Sequence, residues 1–358
     1  MNLLSSLTLF GKSLSNRIAM APLTRGRCDE TRVPSALHVD YYRQRAGVGL
    51  VVSEGTAISE EGYGWPGSPG IYNQQQIDGW KHVTDAVHAQ GGSIICQLWH
   101  VGRAGHTSFL NGNPMFAPSA VTMQGDGVYT NTGKEPHEKP TAMTVADIKR
   151  TVEHYRQAAV NAREAGFDGV ELHAANGYLP NQFLDSRSNL RTDEYGGSTE
   201  NRARFVLEIV DAICAVWSKN NLAVRISPNG VFNDMGHPEY RETFTYLIGE
   251  LNKRGIACLH MMDGLGFGFH ELGDSMTLAE VRPQFDGVLI GNCGYTVADA
   301  EQQLVQGNAD MIAFGRPLIS NPDFVERVRN NWPLNPSDDM SKWYMGGAEG
   351  YSDYANYA

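Results

Sequence analysis

Three residues on one short stretch, His173, Asn176 and Tyr178, could together bind an oxygen atom and deliver a proton. Imidazole and carboxamide groups donate hydrogen bonds, and a neighbouring phenol can act as a general acid. Such a set stabilises an oxygen that gains negative charge while a proton is delivered nearby. A single His or Tyr is more often structural, but the three together favour a catalytic loop.

Arg225 needs a partner of its own, because it lies inside the short apolar run Leu222–Ile226. A buried guanidinium is costly unless it faces an anion or a polar ring. The alternative is an ion pair with an interior acid such as Glu171. Gln97 and Thr24 could complete a polar rim around a planar ring with several acceptors.

The elements that position these residues alternate along the chain, with short apolar runs followed by longer amphipathic stretches. This pattern is typical of parallel βα units. The clearest amphipathic stretch has one apolar helical face, formed by Ile148, Val152, Tyr155, Ala159 and Ala162. Eight strands are predicted, at Arg17–Ala21, Val48–Val52, Ser93–Gln97, Gly169–Leu172, Leu222–Ile226, Ile256–His260, Gly287–Ile290 and Met311–Phe314.

Eight βα units in about 300 residues predict a (β/α)₈ TIM barrel, a single domain over residues 1–358. A doubly wound parallel sheet is the structural alternative. The glycines after the sixth strand, Gly264, Gly266 and Gly268, have the wrong spacing for a dinucleotide-binding loop. The sequence therefore favours the barrel, whose active site lies at the carboxyl ends of the strands.

Three segments outside the regular repeat carry further predictions. Leu7–Leu14 predicts a small N-terminal β-hairpin that closes the bottom of the barrel. Residues 99–143 are rich in Gly, Asn and Pro and lack a helical period, which predicts a lid-like excursion over the barrel mouth after the third strand. Asn321 and Pro322 predict the start of the last long helix, with Asn as its cap.

Two glycine-containing segments follow the last two predicted strands, Gly291–Gly294 and Gly315-Arg316. Loops at these positions of a (β/α)₈ barrel commonly hold a phosphate. Glycine lets backbone amides approach an anion closely, and Arg316 offers a bidentate guanidinium. The alternative is a pair of turns beside a surface arginine, which the barrel context makes less favoured.

Composition excludes several classes of function. The formal net charge is −11, so we expect no electropositive surface for nucleic acid. The five cysteines contain no Cys-x-x-Cys pair, which predicts free thiols rather than a disulfide framework or a metal cage. Neither a membrane-spanning run nor a targeting segment is recognisable, so we expect a cytoplasmic protein without a membrane partner.

Two other barrel chemistries fit the sequence less well. The lysines do not lie at predicted strand ends, so a Schiff-base nucleophile is lacking. His173, Glu54 and Asp263 could be recruited by a metal-dependent hydrolase, but they do not show the clustering of metal ligands. We therefore predict no metal site.

Several longer motifs span nearly the whole chain in a fixed order: Asn16–Arg25, Gln97–Arg103, Ala165–His173, Gly177–Leu179, Arg191–Arg202, Ala313–Arg316 and Gly346–Tyr354. Together they resemble the old yellow enzyme family of flavin-dependent ene-reductases. Thr24 stands where the thermophilic-like branch of that family carries a cysteine, so the chain resembles the classical branch.

The resemblance implies non-covalent FMN at the top of the barrel, with NADPH or NADH as the hydride donor. Hydride is expected to pass through the flavin to the β-carbon of α,β-unsaturated aldehydes, ketones, nitroalkenes and related activated alkenes. The flavin contacts that the resemblance implies are Pro22, Leu23, Thr24, Ala57, Gln97, Arg225, Gly294, Gly315 and Arg316.

On the substrate side, the resemblance implies that His173 and Asn176 bind the carbonyl or nitro oxygen and that Tyr178 protonates the α-carbon. Thr24, Trp99 and Tyr344 are expected to line the same side. An alternative on the same site is the reduction of nitroesters or nitroaromatics. The expected partners are small molecules only, with the chain a monomer or a homodimer.

Overall fold

The computed structural model describes residues 1–337 and 339–357 and contains short strands separated by helices. In chain order the strands are β1 (Leu7–Leu9), β2 (Lys12–Leu14), β3 (Ile18–Met20), β4 (Leu50–Val52), β5 (Thr56–Ala57), β6 (Ile94–Trp99), β7 (Phe116–Ala117), β8 (Val128–Thr130), β9 (Gly133–Glu135), β10 (Thr141–Ala142), β11 (Gly169–Ala174), β12 (Leu222–Ile226), β13 (Cys258–Met262), β14 (Val288–Asn292) and β15 (Met311–Phe314).

The α-helices cover the outside of these strands. They are α1 (Ala36–Gln44), α2 (Gln74–Ala89), α3 (Val145–Glu164), α4 (Leu179–Leu184), α5 (Thr199–Val216), α6 (Tyr240–Arg254), α7 (Leu278–Val281), α8 (Val297–Val305), α9 (Arg316–Ser320) and α10 (Phe324–Asn330). Among the helices of the described chain, none is long and apolar enough to span a membrane.

Eight of the strands, β3, β4, β6 and β11 to β15, form one closed parallel barrel. Each pairs with the next along the chain, β6 pairs with β11, and β15 returns to β3 with Ile312 opposite Ile18. At least one α-helix lies between each pair of successive barrel strands. The predicted (β/α)₈ barrel and all eight predicted strands are therefore confirmed.

Helix α3 shows how local sequence sets an element of the barrel. The Thr144 hydroxyl accepts from the backbone N–H of Asp147, and the Asp147 carboxylate accepts from the backbone N–H of Thr144, which closes a capping box. Its apolar face buries Ile148 and Tyr155 completely. After the helix, Gly166 has a φ of +82°, a conformation that favours glycine, and the chain turns into β11.

The predicted N-terminal hairpin is present, with β1 and β2 paired antiparallel. Leu9, Phe10 and Leu14 pack into the barrel interior against apolar side chains of the barrel strands, including Leu50 and Ile95. The hairpin therefore closes one end of the barrel with apolar contacts.

The segment 99–143 contains two short 3₁₀ helices and the small strands β7 to β10. Its β8–β9 hairpin brings Tyr129 to 6.4 Å from the ring of Trp65, which lines the mouth of the main cavity. From this segment itself, only Trp99 lines that cavity.

The predicted start of the last helix is wrong. Helix α10 begins at Phe324 with Asp323 as its N-cap residue and is seven residues long. Asn321 does not cap it, because its side-chain oxygen accepts a hydrogen bond of 2.7 Å from the backbone N–H of Asn335. The Asp323 carboxylate instead pairs with Arg327 one turn later.

Candidate active site

A cavity of about 410 Å³ lies at the carboxyl ends of the barrel strands. Every residue predicted to contact cofactor or substrate lines it, with one exception. Those that line it are Pro22, Leu23, Thr24, Gln97, Trp99, His173, Asn176, Tyr178, Arg225, Gly294, Gly315, Arg316 and Tyr344. The barrel thus gathers side chains from more than 300 positions of sequence into one site.

The exception is Ala57, which is not among the residues that line the cavity. Ala57 is fully buried in a separate apolar cluster with Tyr63 and Phe109, outside the cavity lining. Gly55, two residues earlier, lines the cavity instead. A Cβ atom at Gly55 would stand 3.0 Å from the Trp99 ring, so the backbone approaches this wall closely because the residue is glycine.

The loop after β11 turns sharply to present its polar side chains. Asn176 has a φ of +57° and Gly177 a φ of +70°. A Cβ at Gly177 would lie 2.6 Å from the Cβ of Asn233, so this position excludes larger residues. The Asn176 backbone is held at both ends, since its N–H donates to Ser227 at 2.8 Å and its carbonyl accepts from Asn233 at 2.9 Å.

Tyr178 is fixed by two aromatic neighbours. Its ring packs edge-on against Trp99, with centroids 5.1 Å apart, and against His173 at 4.9 Å. Burial raises the pKa of the Tyr178 phenol, and the nearby Tyr344 raises it further. The phenol therefore keeps its proton at neutral pH and can donate it.

His173 lies at the end of β11 in the same wall. Burial holds the pKa of its imidazole well below the usual value, and the neighbouring Arg225 and His260 act in the same direction. The ring is therefore neutral at pH 7. Its Nδ1 atom is buried without a hydrogen-bond partner in the described part of the chain. A neutral imidazole can donate one hydrogen bond to a ligand without carrying a charge.

Arg225 does not pair with Glu171, the alternative that the sequence left open. Its Nη2 donates to the Asn292 side-chain oxygen at 2.7 Å, and Asn292 in turn donates to the carbonyl of Ala313. Its Nε is buried and, among residues 1–337 and 339–357, has no partner. A guanidinium with a free buried donor needs a ligand with acceptor atoms.

The cavity offers further donors that suit a planar heterocycle. The indole Nε1 of Trp99 is buried without a partner among the described residues. The unpaired donors on Arg225 and Trp99, beside the amide of Gln97, match a ring system that presents several nitrogen and oxygen atoms. The residues present therefore fit the isoalloxazine ring of FMN.

The loops that carry Gly294, Gly315 and Arg316 form one end of the cavity. Gly294 has a φ of +91°, and a Cβ there would meet no atom within 4 Å. Arg316 is exposed, and its guanidinium lies 5.4 Å from the ring centroid of Phe267 and 5.3 Å from that of Trp343. This arrangement leaves the cation available to an anion.

The anchors of the C-terminal wall were missed by sequence reasoning. Arg25 donates to the Trp343 carbonyl at 2.8 Å and to the Gly350 carbonyl at 2.7 Å, and Arg27 donates to the Lys342 carbonyl at 3.0 Å. These bonds hold the segment that carries Trp343 and Tyr344 over the cavity. Their sequence signal was the run Arg25-Gly26-Arg27, which follows Thr24 after the first barrel strand.

Trp65, Phe232 and Phe267 also line the cavity and were not singled out from the sequence. Trp65 packs against Tyr344 with ring centroids 5.3 Å apart, and Phe232 lies 6.2 Å from Phe267. Phe232 and Phe267 are 43% and 52% exposed, so they form an apolar rim at the mouth. No motif marks isolated aromatic residues as site residues, because most such residues are core.

Comparison with known proteins gives the same assignment over nearly the full chain. Residues 2–335 match the NADH:flavin oxidoreductase / NADH oxidase family. A probable flavin mononucleotide-dependent alkene reductase of Leishmania infantum is 41% identical over 98% of this chain and 96% of that protein.

Solved structures agree with the sequence relatives. The old yellow enzyme homologue from Zymomonas mobilis superposes with a TM-score of 0.96, at 39% identity and with both chains fully covered. Morphinone reductase in complex with tetrahydroNAD has a TM-score of 0.93 at 42% identity, over 100% of this chain and 98% of that one. The chain therefore belongs to the old yellow enzyme family of FMN-dependent NAD(P)H oxidoreductases.

Proposed function

We propose that the protein is an ene-reductase that reduces α,β-unsaturated aldehydes, ketones, nitroalkenes and related activated alkenes. The observation that carries this proposal is that two donors and one phenol, His173 at the end of β11 and Asn176 and Tyr178 just after it, all line one cavity. The chemistry that bound FMN would supply is hydride transfer from NADPH or NADH to the β-carbon of the alkene.

The protein residues hold and tune the flavin in this proposal. Arg225 and Gln97 would hold the polar pyrimidine side of the ring, and the charge of Arg225 would favour a reduced, negatively charged flavin. Thr24 would offer a donor to the ring, and Leu23 would supply an apolar surface against it. At the other end, backbone amides around Gly294 and Gly315, together with Arg316, hold the phosphate.

His173 and Asn176 bind the oxygen of the activating group. Because the imidazole is neutral, it donates a hydrogen bond to a carbonyl or nitro oxygen without transferring its proton. Two donors on one oxygen withdraw electron density from the alkene, so the β-carbon becomes electrophilic. The two backbone hydrogen bonds of Asn176 fix the loop that brings this residue into the same cavity as His173.

Tyr178 supplies the second hydrogen. Its phenol keeps a proton at neutral pH because burial raises its pKa. Its ring is held between Trp99 and His173, so the hydroxyl stays near the oxygen-binding donors. Tyr178 is therefore the residue that protonates the α-carbon.

The test is an anaerobic titration of the FMN-loaded protein, monitored by visible absorbance. NADPH is expected to bleach the flavin band, and 2-cyclohexenone is expected to restore it. A band that bleaches and does not return with 2-cyclohexenone, with cinnamaldehyde or with a nitroalkene would overturn the proposal while keeping the flavin.

Reduction of nitroesters or nitroaromatics on the same site is the second candidate. Two neighbouring donors suit a nitro group, and the exposed rings of Phe232 and Phe267 suit a flat aromatic substrate. This activity does not require a proton on carbon. Retention of nitro reduction and loss of enone reduction in Tyr178→Phe would separate the two candidates.

A further inference from the structure

A buried polar cluster lies in the barrel interior next to Gln97, and none of the roles assigned above uses it. Its centre is Glu171 of β11, which is fully buried. One carboxylate oxygen accepts from the Gln97 amide nitrogen at 2.8 Å, and the other accepts from His260 Nδ1 at 2.7 Å. The strand register places Glu171 opposite Gln97, and His260 opposite Arg225.

The contact with Glu171 determines which way the Gln97 amide faces. A carboxylate has only acceptor atoms, so the amide must turn its NH₂ group toward Glu171. The amide oxygen of Gln97 accepts no hydrogen bond from any residue that the structure describes, and Gln97 lines the cavity. The side chain therefore offers the cavity an acceptor, which suits the imide N–H of a flavin.

The same carboxylate places a negative charge near Arg225. His260 and Arg225 both favour the ionised form of Glu171 and hold the pKa of its carboxyl below the usual value. Burial lowers the pKa of the His260 imidazole, so His260 donates through Nδ1 as a neutral ring. The cluster therefore contains one cation, Arg225, and one anion, Glu171.

We propose that Glu171 is a positioning residue for the flavin site: it fixes the Gln97 amide as an acceptor and partly offsets the charge of Arg225. The first effect acts equally on oxidised and reduced flavin, because both carry the imide N–H. The second disfavours only the form that gains negative charge. This inference rests on the proposed placement of the flavin against Gln97, Arg225 and Thr24.

Glu171→Gln tests the effect of the Glu171 negative charge on the reduction of the flavin. The new amide oxygen can still accept from Gln97, and its NH₂ can donate to His260 once that ring moves its proton to Nε2, so the Gln97 orientation is retained. We expect the midpoint potential of bound FMN, measured by dye-coupled reduction, to become more positive. A tenfold gain in the ratio of reduced to oxidised flavin is about 30 mV for a two-electron couple.

Glu171→Asp is the matched variant that keeps the charge and shortens the side chain. It cannot reach Gln97 and His260 together, so Gln97 loses its fixed orientation. We expect the Kd of oxidised FMN, measured by quenching of flavin fluorescence on addition to apoprotein, to rise roughly tenfold, as loss of one hydrogen bond predicts. The midpoint potential is expected to stay near that of the parent.

Thr24→Ala is the control for the flavin placement, because loss of a donor to the carbonyl edge is expected to make the potential more negative. A shift in Thr24→Ala with none in Glu171→Gln would overturn the inference alone. No shift in either variant would overturn the inference together with the proposed placement. If Glu171→Gln does not fold, an unchanged FMN Kd in Glu171→Asp overturns the orientation role by itself.

Discussion

The two ends of the barrel interior are built from the same strands and differ completely in chemistry. At the end closed by the hairpin, Leu9, Phe10 and Leu14 pack on apolar side chains such as Ile95 and Ile290. At the opposite end, the inward side chains are polar and line the cavity, namely Gln97, His173, Arg225 and Asn292.

Along each of these strands, the inward side chains change from apolar to polar within two residues. Ile95 is followed by Gln97, Ala223 by Arg225, and Ile290 by Asn292, in each case two residues later on the same face. Two residues of a strand span about 7 Å. The apolar end can therefore stabilise the barrel while the polar end is free to specialise, and substitutions at the two ends should have separable effects.

The largest effect is expected from Tyr178→Phe at the polar end. Loss of the proton donor should slow reoxidation of the flavin by 2-cyclohexenone by about 10²-fold to 10⁴-fold, the range for a general acid. Reduction by NADPH needs no proton from Tyr178 and should be little changed. Stopped-flow absorbance of each half-reaction measures both rates, and equal slowing of the two would contradict the assigned role.

The double variant His173→Ala and Asn176→Ala should come next. Phenolate ligands present a charged oxygen, and loss of two hydrogen bonds to a charged group should weaken their binding roughly a hundredfold or more. Titration of the long-wavelength absorbance of the phenolate complex gives the Kd. Each single variant serves as a comparison, and an unchanged affinity in the double variant would place the oxyanion site elsewhere.

At the apolar end, Leu14→Ala should reduce stability without changing the chemistry. Leu14 is buried in the hairpin contact, and its truncation should lower the free energy of unfolding by about 2 to 4 kcal/mol. Denaturant unfolding measures this change. Thr8→Ala, on the exposed face of the same hairpin, is the control and should change stability by less than about 0.5 kcal/mol.

A loss of ene-reductase turnover in folded Leu14→Ala, measured well below its unfolding transition, would show that the two ends are coupled. Unchanged turnover with reduced stability would support their separation.

The smallest effect concerns Asp263, which does not line the cavity itself but is hydrogen-bonded to Tyr295, a residue that does. The Tyr295 hydroxyl donates to its carboxylate, and burial raises its pKa from 3.8 to about 6. The folded state therefore favours the protonated form. The resulting stability is complete below about pH 4 and is lost as the pH rises through 6, by roughly 1 to 2 kcal/mol when partial exposure is allowed for.

Asp263→Asn cannot ionise and should lack this loss. The free energy of unfolding of the apoprotein, followed by tryptophan fluorescence, should therefore differ less between pH 4.5 and pH 8 in the variant than in the parent. Parallel pH profiles for the two proteins would refute the assignment to Asp263.

Most of the residues that the sequence predicts for the site lie at or near the ends of strands and line one cavity. Gln97, His173 and Arg225 follow or end apolar runs, so the barrel rule alone brings them to one cavity. Ala57 does not line the cavity, whereas Gly55, two residues earlier, does. Sequence alone does not separate the two positions, because both lie a few residues after the end of β4.

The supporting contacts could not be predicted, because they join residues far apart in sequence. Arg25 reaches the Gly350 carbonyl across 325 positions, and His260 meets Glu171 across 89. Glu171 was available as a partner for Arg225, and only the packed interior shows that it binds Gln97 and His260 instead.

The sequence by itself determined the periodic features of this protein: eight alternating βα units, the hairpin, the capping box at Thr144 and the loop that carries His173, Asn176 and Tyr178. These depend on residue types within a few positions of one another, where propensity and hydrophobic spacing act directly. The tertiary structure alone decided which face each strand-end residue takes and which buried groups pair. Those outcomes depend on closure of the barrel, which brings together side chains that local sequence cannot relate.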